Sequence, residues 1–138
     1  MNYIKTYESF PRKENILNMC WHNAKVGDTL PESDIYQYVE QLHRNYEDFI
    51  DGDIGERIEK NSKYTLQYID IKDIGIDEYD LDDDYVNEYI KKYEESNNYP
   101  PIVLDERYYN MYNIIDGTHR ANAINDIGHK TIKAWVGE

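Results

Sequence analysis

The chain is short of cysteine, of basic residues and of long apolar runs, and each shortage removes a class of protein. A single cysteine, Cys20, excludes a disulfide within the chain and any cysteine-rich metal site. No stretch approaches the roughly 20 consecutive apolar residues that span a bilayer. Met1-Asn2-Tyr3-Ile4-Lys5 lacks an uninterrupted apolar signal core, so the expectation is a cytoplasmic protein without a membrane partner. Lys and Arg number 15 against 28 Asp and Glu, giving a formal net charge of −13. That balance argues against direct nucleic-acid binding, because phosphate contacts need clustered basic side chains. Phenylalanine is scarce as well, at 2 against 15 tyrosines, so many half-buried positions keep a hydroxyl at the surface. With 138 residues, one domain with a real core is accommodated and two ordinary ones are not.

What is present begins with a segment, Met1 to Lys13, that has no periodic pattern and could pack through Tyr3, Tyr7 and Phe10. Glu14 to Lys25 reads as a short amphipathic helix bounded by Gly27-Asp28. Within it, Cys20 and His22 are two residues apart and do not face one another on a helix, which favours a buried structural cysteine over a thiol nucleophile. Pro31-Glu32-Ser33-Asp34 opens a second helix, capped by Ser33 or Asp34, whose Ile35, Tyr38, Val39, Leu42, Tyr46 and Phe49 share one face. His43 is assigned to its solvated side. Asp51-Gly52-Asp53 ends that helix. The surrounding Asp51-to-Glu56 run resembles a calcium loop but lacks the alternating oxygen ligands and terminal Glu that such a loop needs.

Tyr64 to Ile71 has the composition and partial alternation of a strand, and Lys72-Asp73-Ile74-Gly75 reads as a turn. From Asp70 to Glu95 there are 11 acidic residues against Lys72, Lys91 and Lys92. Such a run is ordinarily a solvated face, and it could also present acidic and tyrosine side chains to a basic protein partner. Asp82-Asp83-Asp84 suits the start of a helix with Tyr85, Val86, Tyr89, Ile90 and Tyr93 on its apolar face. A buried strand follows at Pro101 to Leu104, and Asp105 to Asn110 is a loop.

The most informative stretch is Tyr112 to Ile127. Tyr112 to Ile115 reads as a buried strand, Gly117 permits a tight turn, and Thr118 to Ile127 reads as a helix stopped by Gly128. Thr131 to Val136 is a closing strand. The first-turn amides of the helix lack intrahelical partners and its dipole leaves partial positive charge there. Gly117, Thr118, His119 and Arg120 therefore form a candidate phosphate cradle, with Arg120 a fork-shaped donor suited to phosphate. Asp116 and His119 are the candidate catalytic residues. Asp116, or a carboxylate such as Asp73 or Glu78, could position magnesium or act as general base. His129, beyond Gly128, is read as structural.

Tyr68-Ile69-Asp70-Ile71, then Pro100-Pro101-Ile102-Val103-Leu104, then Ile114-Ile115-Asp116-Gly117-Thr118-His119-Arg120-Ala121 and Gly128-His129-Lys130-Thr131-Ile132 together resemble the core of the ParB/sulfiredoxin-like superfamily. The resemblance covers about residues 64–138. It implies an α+β fold, a small mixed sheet with helices over residues 61–138; residues 1–60, which the resemblance does not reach, read as an N-terminal helical extension. It further implies binding of a nucleoside triphosphate or diphosphate (ATP, ADP or CTP, with Mg2+) at the turn Gly117 to Arg120. Superfamily members include CTP-hydrolysing partition proteins, ATP-using sulfiredoxins and a free-serine kinase. Two departures narrow the choice. Thr118 stands where sulfiredoxins carry a catalytic cysteine, which argues against sulfinic-acid reduction. Partition proteins use a more arginine-rich turn and carry a helix-turn-helix after the core, whereas this sequence ends at Glu138.

Two readings follow. One is a nucleotide-dependent phosphoryl-transfer enzyme or NTP hydrolase. The other is a non-catalytic acidic protein-binding module, or a DNA-mimic inhibitor, on the same scaffold. Engagement of Arg120 by an internal carboxylate would weaken the catalytic reading.

Overall fold

The computed structural model describes residues 15–46, 53–76, 82–94 and 98–138. Among them, β1 (Thr29–Pro31), β2 (Lys63–Asp70), β3 (Ile74–Gly75), β4 (Ile102–Leu104), β5 (Tyr112–Asp116) and β6 (Thr131–Gly137) form one sheet in the order β1-β2-β6-β4-β5-β3. β2 is antiparallel to β1 and β6, β4 is parallel to β6 and antiparallel to β5, and β3 is parallel to β5. The helices are α1 (Glu32–Tyr46), α2 (Ile54–Glu59), α3 (Asp83–Tyr93) and α4 (Thr118–Ile127). No helix among the described residues is long and apolar enough to cross a membrane.

Successive strand residues point to opposite faces, and this chain buries both. On β6, Ile132, Ala134 and Val136 join Leu104, Ile114, Val86 and Ile124 in a core under α3 and α4. Trp135 points the other way. It joins Tyr64, Leu66, Val103 and Ile115 against Ile35, Tyr38, Val39 and Leu42 of α1 and Ile54 and Ile58 of α2. Helices therefore cover the mixed sheet on both sides, the α+β architecture that the resemblance implied. The Trp135 ring is fully buried and its Nε1–H donates to the carbonyl of Cys20 at 2.9 Å, tying the segment before β1 to the central strand.

Local chemistry sets the ends of α3 and α4. Asp82 caps α3, its carboxylate accepting from the Asp84 amide at 3.0 Å. Gly128, at φ 110°, closes α4 in the left-handed conformation. α1 departs from the sequence reading by starting at Glu32, because Pro31 is the last residue of β1 and the chain passes directly from strand to helix. Asp34 is thus inside the helix, and buried. β1 and β3, of three and two residues, are too short to show a period and are held by their pairing partners. Ile74-Gly75, read as part of a turn, is β3; the turn is the 3₁₀ segment Ile71–Asp73. α2 occupies part of the stretch weighed as a calcium loop. The helix expected over Glu14 to Lys25 is reduced to a short segment centred on a π-helical turn, Asn18–His22. Met1 to Lys13, Phe49, Asp51, Gly52 and Glu78 lie outside the described residues.

Removing the central ring should be costly. Trp135→Ala is expected to lower stability by about 3–5 kcal/mol, read as a reduced midpoint in urea unfolding.

Candidate phosphate-binding site

β5 delivers the turn. Ile114 packs into one core and Ile115 into the other, which fixes the strand between both helical layers. β3 pairs only with Tyr112 and Asn113, and from there Arg57 of α2 takes over, donating to the carbonyl of Ile114 at 2.6 Å. Gly117 follows at φ 107°, ψ 28°. A β-carbon there would lie 2.6 Å from Ile102 Cγ2 and 3.0 Å from Arg120 Nη2, so both conformation and packing require glycine. α4 then starts without a side-chain cap, and its first intrahelical bond runs from the Ala121 amide to the Gly117 carbonyl at 2.8 Å. The amides of Thr118 and His119 precede that bond, at the positive end of the helix dipole. Gly117, Thr118 and His119 are half-buried.

Beneath the turn lies a buried charge cluster. Asp116 is 6% exposed and Arg120 1%. Asp116 Oδ1 lies 2.7 Å from His43 Nε2 of α1, and Oδ2 lies 3.6 Å from Arg120 Nη2. Arg120 Nη2 also donates to the carbonyl of Pro101 at 3.2 Å, and the Tyr38 hydroxyl donates to the same carbonyl at 2.5 Å. Burial alone would raise the Asp116 pKa. The hydrogen bond from His43 and the positive charge of Arg120 outweigh burial and hold the carboxyl below its ordinary value. An ionised carboxylate only accepts, so His43 Nε2–H is the donor in that pair.

The structure brings some expected site residues together and separates others. Gly117, Thr118 and His119 form the turn and first turn of α4. Arg120 does not extend into the cradle: its guanidinium is turned inward, engaged by the internal carboxylate of Asp116 and the carbonyl of Pro101. Asp116 is likewise neither a helix cap nor a solvent-facing base, since its carboxylate is buried, bonded to His43 and facing Arg120 at 3.6 Å. His119 Nε2 accepts from the Asp82 amide at 2.9 Å, which places the proton of a neutral ring on Nδ1 and docks the start of α3 against the start of α4. The Tyr85 ring lies 5.6 Å from that of His119. Asp73 precedes β3, whose Ile74 pairs with Tyr112 at the beginning of β5, whereas Asp116 ends β5. Asp73 and Asp116 therefore lie towards opposite ends of β5. Among the described residues, no group of three or more His, Cys, Asp or Glu side chains is placed to hold a metal.

His43 departs from the sequence reading. Its side chain is 11% exposed and bonded to Asp116, not solvated. The signal was available, since His43 follows Val39 of the buried face by four residues. Its partner was not, because Asp116 lies 73 residues further along. Arg57 and Tyr38 also join the site by contacts distant in sequence, 57 and 63 residues apart.

This β5–turn–α4 unit in a two-sided mixed sheet defines the class. The sequence profile described as the ParB N-terminal domain matches residues 55–138. The chain belongs to the ParB N-terminal domain family. Among solved structures it is similar to a sulfiredoxin from Arabidopsis thaliana, with 18% identity over 54% of this chain and 85% of that one, at a TM-score of 0.46. It is also similar to a free serine kinase mutant in complex with AMP, at 20% identity over 51% of this chain and 30% of the kinase, TM-score 0.47. A third likeness is to a Pnob8-like ParB-N domain, at 23% identity, 53% and 28% coverage and TM-score 0.38. The chain thus spans less than a third of the latter two. No curated protein matches it.

The cluster has a pH signature. Because the folded pKa of Asp116 lies below its unfolded value, the carboxylate contributes stability above the ordinary Asp pKa of about 4, lost as pH falls through the folded pKa. Urea midpoints of the native chain should therefore drop as pH is lowered below about 4. Asp116→Asn should be less stable by about 3 kcal/mol at pH 7 and show a shallower acid decline.

Proposed function

We propose that the chain binds a nucleoside phosphate (ATP, ADP or CTP) at the N-terminus of α4; phosphoryl transfer or hydrolysis with it is the weaker part of the reading, because Arg120 is engaged by the internal carboxylate of Asp116. The observation that carries this reading is the start of α4. It has no side-chain cap, rests on a glycine that no other residue could replace, and points amides and helix dipole to the same place. Membership in the ParB N-terminal domain family supports it, since the turn resembles the superfamily's nucleotide-binding turn.

Roles divide by burial. The backbone of Gly117, Thr118 and His119 and the Nδ1–H of His119 hold phosphate oxygens. Asp116 and Arg120 hold the turn from below and take no part in proton transfer. Magnesium arrives with the nucleotide, bound chiefly by phosphate oxygens and water, as is usual for this ion. The second reading, an acidic surface for a basic partner, is favoured by α3, where Asp83, Asp84 and Glu88 are exposed beside Tyr85, itself 39% exposed.

Calorimetric titration with ATP, ADP and CTP plus magnesium separates the two readings. Wild type should bind one of them at micromolar concentration. Thr118→Asp puts a carboxylate where the helix dipole welcomes it, so the fold is kept while phosphate is repelled, and affinity should fall by about tenfold or more. No heat from a folded wild type would remove the nucleotide reading and leave the acidic surface.

A further inference from the structure

His43 lies in α1, outside the matched residues 55–138, yet its imidazole reaches the motif. We propose that His43 is a positioning residue for the phosphate-binding turn, so that the site is built jointly by α1 and the matched domain. Its functional consequence rests on the nucleotide reading above; its structural consequence stands on geometry alone.

The geometry forms a relay of four residues. His43 Nε2–H holds Asp116 Oδ1 at 2.7 Å. That bond orients the carboxylate so that Oδ2 faces Arg120 Nη2 at 3.6 Å, beyond hydrogen-bond range, and Oδ2 makes no hydrogen bond among the described residues. Arg120 is thereby left on the carbonyl of Pro101, which the Tyr38 hydroxyl of α1 also engages. The same Nη2 packs 3.0 Å from where a β-carbon of Gly117 would sit, directly against the residue that starts α4. Without a donor at position 43, the carboxylate turns to take Arg120 in a fork-to-fork pair. Arg120 then leaves Pro101, and Gly117 loses the surface that holds it. The disturbance ends at the amides of Thr118 and His119. α1 thus shapes the turn without touching its occupant.

Two variants that preserve bulk test this. H43Q keeps an N–H directed at Asp116, and H43L removes it. The first readout, amide hydrogen exchange at residues 121–123, whose helical bonds close on Gly117, Thr118 and His119, needs no nucleotide. The second is calorimetric affinity for MgATP, MgADP and MgCTP. H43L should exchange faster at residues 121–123 than wild type, with β2 and β6 unchanged, and bind about tenfold more weakly. H43Q should match wild type in both. Unchanged exchange at residues 121–123 in H43L would overturn the proposal, as would equal loosening in H43Q and H43L. If H43L fails to fold, H43Q decides: wild-type exchange and affinity support the positioning role, and lost affinity with intact exchange contradicts it. If wild type binds no nucleotide, the functional reading fails while the exchange comparison still decides the role of His43.

Discussion

Taking the ionised Asp116 carboxylate out of water costs several kcal/mol unless the protein supplies partners, and its partners come from separate elements. His43 arrives from α1 and Arg120 from α4, while the Pro101 carbonyl ahead of β4 anchors the guanidinium. The cluster assembles only when the α1 layer, the sheet and α4 are all in place. Its position makes it consequential, because Asp116 and Gly117 are consecutive and Arg120 backs onto the glycine. A charge whose burial demands correct assembly is thus built into the residue that aims the helix N-terminus. The arrangement is one of specification more than of net stability, since buried ion pairs seldom outperform apolar packing.

The division between half-buried turn backbone and buried side chains also sets what the site can do. Donors that are amides keep their positions when a ligand leaves, so under the proposed function a phosphate would meet a preformed surface. His119 adds a ring whose tautomer is fixed by the Asp82 amide, and through that bond the acidic first turn of α3 is held beside the turn. A net charge of −13 would otherwise repel a nucleotide, which is why a local concentration of positive dipole matters in this chain more than in a basic one.

Much of this was legible in the sequence because it is local. The bounds of α4 follow from Gly117 and Gly128, and the cap of α3 from its three aspartates. β2, β5 and β6 announce themselves by composition and length. What the sequence hid was pairing at a distance. β1 and β3 have no period and exist through β2 and β5. The inward turn of Arg120 could not be told from an outward one, because arginine serves phosphate and buried carboxylate equally well. His43 carried the spacing of a buried residue and the chemistry of an exposed one, and chemistry was the poorer guide.

The central claim is that the N-terminus of α4 receives phosphate, and amide chemical-shift mapping by NMR tests it most directly. On adding the magnesium complex of the nucleotide that binds, the amide resonances of Gly117, Thr118 and His119 should move most, with that of Asp82 following through its bond to His119. Shifts confined instead to the exposed face of α3 around Asp83, Asp84 and Glu88, with the turn unmoved, would contradict the account.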